Sequence, residues 1–537
     1  MIRITQLKLP LDHGDDAIEA KVLKTLNISK RELVNIEVFK RGYDARKKTN
    51  IWLIYTLDVE TTCNEKLLST FSNDNNIRQT PDMSYQFVGK AKADQATRPV
   101  VIGTGPCGMF VGLILAQMGF KPIILERGKA VRERTKDTWN LWRKRQLNTE
   151  SNVQFGEGGA GTFSDGKLYS QIKDSNHHGR KVLHEFVNFG APEEILYVSK
   201  PHIGTFKLVK MVENMRHKIT QLGGEIRFSQ RVDDINIVDN QVTGVVMQDG
   251  STIATDHVVL AIGHSARDTF EMLRNKGVYI EAKPFSIGFR IEHPQSMIDT
   301  CRFGPNAGND ILGAADYKLV HHCRNGRSVY SFCMCPGGTV VAATSEKGRV
   351  VTNGMSQYSR NERNANAAIV VGIDPTDYPS SDVLAGIDLQ RDLEQRAYHL
   401  GGGDYTAPGQ LVGDFLQGRA STEFGDVAPS YKPGITLTDL SEVLPNYAIE
   451  ALREAIPAFN KKIKGYARPD AILTGVETRT SSPISIKRDK SFQSVNTKGL
   501  YPAGEGAGYA GGILSASVDG LKVGEAVAKS MLGMAIE

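Results

Sequence analysis

The stretch from Arg98 to Gly128 limits the fold of this chain more than any other. It reads RPVVIGTGPCGMFVGLILAQMGFKPIILERG, with β-branched residues before a G-x-G-x-x-G motif and an apolar helical segment after it. In such a strand–turn–helix unit the first glycine makes the turn, the second admits a pyrophosphate, and the third lets helix and strand pack closely. The phosphates lie at the helix N-terminus, where free N–H groups favour an anion. The next strand ends at Glu126, near the spacing expected of a carboxylate that binds ribose. The stretch therefore predicts a dinucleotide-binding βαβ unit.

Composition places this unit in a large soluble protein. At 537 residues the chain is long enough for two or three domains. Its net charge of +5 is small for that length, and the basic residues are scattered rather than gathered in tracts that bind nucleic acid. Six cysteines in so long a chain do not suggest a secreted disulfide framework. The N-terminus lacks the apolar core of a signal peptide, and no apolar run of about 18 residues is present. We expect a cytoplasmic protein with no membrane association.

Residues 1–95 are predicted to form a separate small α/β domain. The hydrophobic pattern predicts strands at Ile2–Leu9, Val34–Phe39 and Ile51–Val59 and a helix at Asp15–Leu26. Polar segments at Thr70–Asp82 and Lys90–Thr97 suit a linker. The domain carries a basic loop with Lys40, Arg41, Arg46, Lys47 and Lys48. Two interpretations of this loop stay open, namely a packing domain with a solvated loop, and a surface that docks RNA or a protein partner.

The chain after Gly128 continues the same nucleotide-binding domain. A glycine-rich loop, FGEGGAGTFSDGKL at Phe155–Leu168, indicates backbone that lies directly against a ligand. A helix at Phe206–Leu222 is followed by a β-meander with turns at Asp239-Asn240 and Asp249-Gly250. The strand His257–Ile262 then returns to the parallel sheet and ends in Ala-x-Gly. We place this first part of the domain at residues 96–280.

Residues 281–440 are predicted to form a β-rich substrate domain, and residues 441–537 to return to the nucleotide-binding domain. A hairpin turns at Asn325-Gly326. Strict strand alternation places Cys333 and Cys335 on one face of this hairpin and His321 and Cys323 on the other. Because four ligands cannot converge in that register, the HHC and CMC sequences do not predict a zinc site, and we expect no metal. Near the C-terminus, Gly511-Gly512 open a helix whose N-terminus can stabilise a second anion.

From Pro99 onwards the chain resembles flavoproteins with the glutathione-reductase-type FAD-binding fold. More closely it resembles the bacterial family of uncharacterised FAD-dependent dehydrogenases, or NAD(P)/FAD-dependent oxidoreductases. The motifs that carry the resemblance are VVIGTGPCG, LERG, FGEGGAGTFSDGKL, LAIGHSARD, SFCMCPGG, VETRTSSP and PAGEGAGYAGGI. The fold class expected is α/β, with a Rossmann-type FAD-binding domain, an inserted β-rich substrate domain and a small N-terminal α/β domain.

The resemblance implies a non-covalent FAD held by residues from all parts of the nucleotide-binding domain. Around the pyrophosphate and ribityl chain it implies Gly103, Gly105, Pro106, Cys107, Gly108, Gly158, Gly159, Ala160, Gly161, Thr162, Lys167, Gly504 and Glu505. Around the adenosine it implies Glu126, Arg127, Val232, Ala261, Ile262 and Gly263, and at the flavin pyrimidine edge Gly512 and Ile513.

The activity expected from the resemblance is hydride transfer between FAD and a small-molecule substrate. The candidate catalytic residues are His202, Arg290, Cys333, Cys335, Glu477 and Arg479. Each has a structural alternative, since His202 is placed to cap the following helix, and Glu477 and Arg479 to pair with other segments. Because no second G-x-G-x-x-G follows a strand, NAD(P)H is expected only as a transient donor. The alternative function is a flavoprotein that binds RNA, as in flavin-dependent tRNA modification, or a protein partner through residues 1–95.

Cys333 and Cys335 are the only closely spaced cysteines in the sequence. They precede Pro336-Gly337-Gly338, where the strand must end and a cleft can begin. Two hypotheses stay open. In the first, both are small apolar residues that fill the core, as most buried free cysteines do. In the second, they form a redox-active pair that exchanges electrons with the flavin or protects a reactive substrate.

Overall fold

The computed structural model describes residues 1–93, 96–170 and 172–535. In the N-terminal region it forms an antiparallel sheet in the order β2-β3-β1-β4 with two helices. The elements are β1 (Ile2–Pro10), α1 (Ala17–Leu26), β2 (Leu33–Asp44), β3 (Trp52–Thr61), α2 (Asn64–Thr70) and β4 (Ile77–Gln79). The predicted strands and helix are all present, with β2 longer than expected. The buried side of this sheet belongs to one hydrophobic core with the β-rich region, so the N-terminal region is docked rather than free.

Residues 80–93 follow this sheet without forming a helix or a strand. Tyr85 is fixed to the C-terminal part of the chain, because its hydroxyl donates a hydrogen bond of 2.8 Å to Glu525. The predicted domain boundary at residue 95, and with it part of the predicted linker Lys90–Thr97, lies outside the described residues.

The nucleotide-binding region contains a five-stranded parallel sheet in the order β23-β11-β5-β6-β7. Its first elements are β5 (Val100–Ile102), α3 (Pro106–Gln117), β6 (Ile123–Leu125), α4 (Val131–Lys144), α5 (His178–Asn188), α6 (Thr205–Gln221) and β7 (Glu225–Arg227). They continue with β8 (Val232–Val238), β9 (Gln241–Met247), β10 (Thr252–Ala254), β11 (Val258–Leu260) and α7 (Arg267–Asn275). The strands β8, β9 and β10 form the predicted meander. Both meander turns occur where expected, with positive φ at Asp239, Asn240 and Gly250.

The two faces of the parallel sheet are buried by different elements. Val101 and Ile124 contribute to a core formed with α3 and α6, whereas Val100 and Leu125 contribute to a core formed with the meander and α7. Both faces are therefore covered, as a parallel sheet requires, and its strands β5, β6 and β11 are apolar throughout.

The second large sheet has seven strands in the order β14-β15-β18-β13-β21-β19-β20. The elements of this region begin with β12 (Ile280–Ala282), β13 (Phe285–Pro294), α8 (Gln295–Phe303), β14 (Val320–His322), β15 (Ser328–Cys335), β16 (Gly338–Ala342), β17 (Thr352–Ser356) and β18 (Asn364–Ile373). They continue with α9 (Ala385–Leu400), β19 (Ala407–Leu411), α10 (Val412–Gln417), β20 (Ile435–Leu437), α11 (Asn446–Asn460), β21 (Ile472–Glu477) and β22 (Ile484–Ile486). Two ribbons, β12-β22 and β16-β17, accompany the sheet.

The chain stays in this sheet well beyond residue 440, where the sequence analysis places its return. Strand β21 pairs with both β13 and β19, and α11 contributes to the core beneath the sheet. The chain re-enters the parallel sheet only with β23 (Leu500–Pro502), which is followed by α12 (Ile513–Met531). The amphipathic pattern of α11 does not reveal which of two apolar surfaces it covers, and the expected boundary therefore divides a continuous sheet.

None of the helices in the described part of the chain combines the length and the apolar character that crossing a membrane requires.

Candidate functional site

The glycine turn after β5 has the geometry that its sequence predicts. Gly103 has a φ of +104°, which only glycine adopts readily, and it makes the turn. A Cβ on Gly105 would find its nearest neighbour at 3.8 Å, so this position leaves open space beside the backbone. A Cβ on Gly108 would lie 2.0 Å from the carbonyl oxygen of Gly103, so this position allows α3 to pack against the turn. The three positions therefore provide the turn, the open approach and the close packing of a dinucleotide site.

A cavity of about 470 Å³ begins at this turn and runs between the two large sheets. Every residue that the resemblance assigns to the cofactor lines it, except Gly108, Gly158 and Thr162. Gly158 lies behind the wall, where a Cβ would meet the Thr162 hydroxyl at 2.1 Å. The N-terminal ends of α3 and α12 both border the cavity, at Pro106 and at Ile513, and can stabilise negative charge.

Glu126 lies in the cavity wall and holds the surrounding loops together. One carboxylate oxygen accepts hydrogen bonds from the amide and hydroxyl of Thr104, at 2.9 and 2.6 Å. The other oxygen accepts from the amides of Gly128 and Gly156, both at 2.9 Å. These four donors occupy the main acceptor positions of a carboxylate. A ribose hydroxyl would share or replace one of them, so Glu126 also has a structural role that the sequence analysis did not foresee.

The opposite wall of the cavity comes from the seven-stranded sheet and carries a buried Arg290–Glu477 pair. Glu477 lines the cavity, whereas Arg290 lies behind it and is fully buried. The guanidinium of Arg290 donates to Glu477 at 3.2 Å, to the Cys333 carbonyl at 2.8 Å and to the Asn353 side chain at 3.1 Å. Three groups of this wall are thereby fixed by one arginine, which makes Arg290 a positioning residue.

Glu477 is the group in this wall best suited to carry a proton. Burial raises the pKa of Glu477 to about 7, although the attraction of Arg290 opposes the shift. A carboxyl group in this range exchanges a proton readily near neutral pH, as general acid–base catalysis requires.

Cys333, Cys335 and Lys167 form a second polar group at the same wall. Cys333 and Lys167 line the cavity, and Cys335 is buried behind Cys333. Strict alternation does not hold in this strand, because a bulge lies between Phe332, opposite Ala368, and Cys335, opposite Asn366. The simple alternation on which the prediction of a shared face rests therefore does not hold here, and the Cys335 thiol donates to the Cys333 carbonyl at 3.4 Å.

Arg479 lies in the cavity wall but is engaged by an ion-pair network. It donates to Glu394 at 2.9 and 3.1 Å, and Arg267 donates to the same carboxylate at 2.7 and 3.0 Å. Although burial acts in the opposite direction, the two arginines hold the pKa of Glu394 well below its ordinary value. Arg479 thus pairs with another segment of the chain, as its structural alternative expects. Glu477 likewise pairs with Arg290.

His202 is not among the cavity-lining residues, in contrast to the role predicted for it. Its Nε2 bonds the Tyr358 carbonyl at 3.0 Å, and its ring stacks on that of Tyr358. Burial, aided by Arg360, lowers its pKa below the ordinary value. The predicted cap is also absent, since Gly204 occupies the N-cap position of α6. His202 joins two segments of the fold, a role that a single sequence does not reveal.

The β14–β15 hairpin separates the HHC and CMC sequences. Its turn is at Asn325-Gly326 as predicted, with His321 opposite Val329. His321 and Cys323 share a face, and Glu454 of α11 lies within 4.8 Å of both ligand atoms. The His321 ring bonds Glu454 at 3.1 Å. Among the described residues, His321 and Cys323 therefore do not form a four-ligand group with Cys333 and Cys335.

The basic loop of the N-terminal region is partly engaged within the chain. Arg46 pairs with Asp44, and the backbone amide of Arg41 donates to the Tyr197 carbonyl at 2.6 Å. The Lys48 carbonyl accepts from the Asn306 side chain at 2.6 Å. These contacts fix the loop against neighbouring segments, as the packing interpretation expects.

Several cavity-lining residues have no role in the sequence analysis. His264, Ser265 and Thr269 follow β11, and Asn353 comes from β17. Burial, together with Arg479 and Arg267, lowers the pKa of His264 to about 3, so this ring is neutral. His264 lies within the motif LAIGHSARD, which could have pointed to it, whereas nothing in the sequence around Asn353 marks it as part of the site.

Three family models match parts of the chain. Residues 284–480 match the model described as FAD-dependent protein, C-terminal domain-like. Residues 180–278 match flavin containing amine oxidoreductase, and residues 1–60 match a domain of unknown function. An uncharacterised protein of Clostridium beijerinckii is 49% identical over 525 residues, which are 98% of each chain.

Solved structures of dehydrogenases also resemble this chain. A flavoprotein/dehydrogenase from Cytophaga hutchinsonii has a TM-score of 0.37 and 11% identity, over 82% of this chain and 80% of that one. L-proline dehydrogenase from P. horikoshii has a TM-score of 0.34 and 14% identity, over 81% of this chain and 94% of that one.

Proposed function

The chain belongs to the bacterial family of FAD-dependent dehydrogenases, and on this premise we propose that it transfers a hydride between FAD and a small molecule bound against Glu477 and Asn353. That it is an FAD-dependent oxidoreductase follows from the family. The cavity residues fit the cofactor, because the open Gly105 position, the glycine loop at Gly159–Gly161 and two helix N-termini surround one continuous space. Bound FAD supplies two-electron chemistry, and the protein supplies position and charge.

The proposal assigns Glu477 to move the substrate proton. When a C–H bond beside an ionisable O–H or N–H group loses its hydride, that group must also lose a proton. The Glu477 carboxylate lies in the cavity wall and accepts this proton, while Arg290 fixes the carboxylate in place. Asn353 is oriented by the same arginine and can hydrogen-bond the substrate. The observation that carries the proposal is this buried, near-neutral carboxyl group facing the cofactor cavity.

Two substrate classes fit this arrangement, namely amines and alcohols, including their carboxylated forms. Amines come first because the matched family model is that of flavin containing amine oxidoreductases. The test is an anaerobic screen in which the oxidised holoenzyme is mixed with a panel of amines, amino acids and 2-hydroxy acids. Bleaching of the flavin absorbance identifies a substrate.

Glu477→Gln provides the decisive variant. The amide keeps the size of the side chain and cannot accept the proton, so we expect flavin reduction by the identified substrate to slow by about 10²–10⁴-fold. In the wild type the reduction rate should rise with pH up to about 7 and then level, because the carboxylate is the active form. A variant that binds FAD normally and reduces at the wild-type rate would disprove the role of Glu477.

A further inference from the structure

The bulge at the end of β15 is an unusual piece of backbone at the edge of the cofactor cavity. Cys333 has a φ of +43°, in the left-handed region that residues other than glycine, asparagine and aspartate rarely adopt. Its carbonyl accepts hydrogen bonds from Arg290 at 2.8 Å and from the Cys335 thiol at 3.4 Å. Such strain persists only where surrounding contacts enforce it, and it is concentrated at functional sites. The fold therefore holds Cys333 in a conformation that a plain strand would not give it.

Positive charge surrounds the two thiols. The Nζ of Lys167 is buried and has no hydrogen-bond partner among the described residues. Its closest carboxylate, that of Asp165 at 3.4 Å, is already bonded by Arg360 at 2.6 Å. Fully buried Arg290 also contacts the bulge, through the Cys333 carbonyl. Lys167 is thus a buried ammonium group that faces the cavity and lacks a full counter-charge.

The two thiols differ in their protonation. A hydrogen bond from Cys335, with the attraction of Lys167 and Arg290, lowers the pKa of Cys333 to about 5 although burial opposes it. The same hydrogen bond and burial raise the pKa of Cys335 well above its ordinary value. At neutral pH the pair consists of a Cys333 thiolate in the cavity wall and a Cys335 thiol behind it. Low-pKa thiolates beside cations are the reactive form of cysteine.

We propose that Cys333 and Cys335 are a redox-active dithiol that exchanges two electrons with the bound FAD. In the oxidising direction, the Cys333 thiolate and the Cys335 thiol form an S–S bond and the Cys335 S–H bond breaks. The two electrons and the proton from Cys335 pass to oxidised FAD, which becomes the singly protonated reduced anion. In the reverse direction the disulfide is cleaved to the same thiolate and thiol. The exchange requires bound FAD but no substrate, so it can be tested separately from the proposed hydride transfer.

Joining cysteines separated by one residue is close to a geometric limit in a regular strand. In a regular strand, Cα atoms two residues apart are about 6.6 Å from each other, near the upper limit for a disulfide. A disulfide in so short a loop is strained and easily reduced, which is the property of catalytic rather than structural bridges.

The test is an anaerobic dithionite titration of the oxidised holoenzyme without substrate. If the pair is active, the protein consumes two two-electron equivalents per FAD, and the double variant Cys333→Ser/Cys335→Ser consumes one. Cys301→Ser is the matched control, because Cys301 lies in α8 and donates to the Lys464 carbonyl, outside the cavity lining. This control should still consume two equivalents.

Thiol mapping of the wild-type protein gives an independent result that needs no variant. In the oxidised holoenzyme, alkylation under denaturing conditions should modify four of the six cysteines and leave the peptide with Cys333 and Cys335 unmodified. After reduction with dithionite all six should react. The proposal is overturned if the wild type consumes one equivalent and all six cysteines of the oxidised protein are alkylated.

Discussion

At the scale of single residues, one ammonium group contributes to the low pKa of a thiol. Lys167 was assigned to the cofactor from the resemblance, and the structure places its Nζ beside the cysteine bulge without a hydrogen-bond partner in the described chain. Although burial opposes the shift, Cys335, Cys333 and Asp165 raise the pKa of Lys167, so it remains charged at neutral pH. The charge state of the cavity wall therefore depends on a few residues that act as a unit.

This dependence predicts a change in cysteine reactivity. In Lys167→Met the positive charge is lost while the length of the side chain is retained, so the pKa of Cys333 should rise. Alkylation of Cys333 in the reduced protein should follow a pH curve with its midpoint near 5 in the wild type, and at a higher pH in the variant. Alkylation rates measured by mass spectrometry between pH 4 and 9 test this prediction, with Cys301 as internal control. Identical curves for the two proteins would show that Lys167 does not stabilise the thiolate.

At the scale of elements, the glycines of the turn have different roles, so FAD binding and folding can be tested separately there. Gly105 has a φ of −66°, which alanine adopts without strain, and an added Cβ meets no atom closer than 3.8 Å. Gly105→Ala should therefore leave the stability of the apoprotein unchanged or raise it by about 0.4–1 kcal/mol. The second glycine of such a motif is the position at which a pyrophosphate approaches the backbone, so FAD affinity should fall by about tenfold or more. Thermal unfolding of the apoprotein and fluorescence titration with FAD measure the two effects.

Two other glycines provide the controls for this experiment. Gly372→Ala in β18 is equally free of close contacts, with its nearest atom at 4.0 Å, and lies outside the cavity lining, so it should change neither property. Gly108→Ala places a Cβ 2.0 Å from the Gly103 carbonyl and should destabilise even the apoprotein. If Gly105→Ala instead unfolds the protein while FAD affinity per folded molecule is preserved, the turn has no direct role in binding.

The same elements show which parts of the structure can be predicted from the sequence alone. The βαβ unit, the meander and the N-terminal sheet were predicted because each is a local pattern of apolar residues bounded by turn residues. The β15 bulge was not predicted, because it is bonded by a guanidinium group on β13, a contact that no local pattern records. Asn353 was missed for the same reason, since an asparagine becomes part of a site only through the sheet that carries it. The role of His202 depends on the Tyr358 carbonyl, more than a hundred residues later.

At the scale of the whole molecule, a buried ion-pair network joins the two large regions. Arg267 is the first residue of α7, Glu394 lies in α9, and Arg479 follows β21 in the seven-stranded sheet. Glu394 is fully buried and bonds both arginines. Since removal of one partner leaves the other charges buried and uncompensated, the network is most sensitive at its centre.

Glu394→Ala should therefore cost about 3–5 kcal/mol in the free energy of unfolding. Asp392→Ala on the same helix is the control, because its pair with Arg396 is exposed and should contribute about 0.3–0.5 kcal/mol. Because the folded pKa of Glu394 is depressed, its contribution is present above the unfolded value near 4 and is lost as the pH falls below it. Urea unfolding of the wild type and both variants at pH 7 and at about pH 3 measures this. Equal midpoints for the two variants would contradict the central role of Glu394.

The fold of the whole molecule also allows a prediction of how the enzyme reacts with nicotinamide cofactors. Within the described residues the parallel sheet with its glycine turn occurs once, and Gly401–Gly403 terminates α9 instead of following a strand. Reduction by NADH or NADPH should therefore be slow or absent, with any nicotinamide binding only transiently at the flavin. Anaerobic stopped-flow mixing checks this. Bleaching within about one second at micromolar NAD(P)H would mean that a dedicated site exists.

The strand order of the parallel sheet has a consequence for the synthesis of the protein on the ribosome. Strand β11 ends at Leu260, and its outer neighbour β23 begins only at Leu500, after the whole seven-stranded sheet. At about 5–20 residues per second, the ribosome needs on the order of ten seconds or more to make the chain between them. During that interval the apolar edge of β11 has no partner strand, and unpaired edges invite association with other chains. We expect the nascent chain to need protection by a chaperone, and to capture its flavin only after synthesis has passed α12.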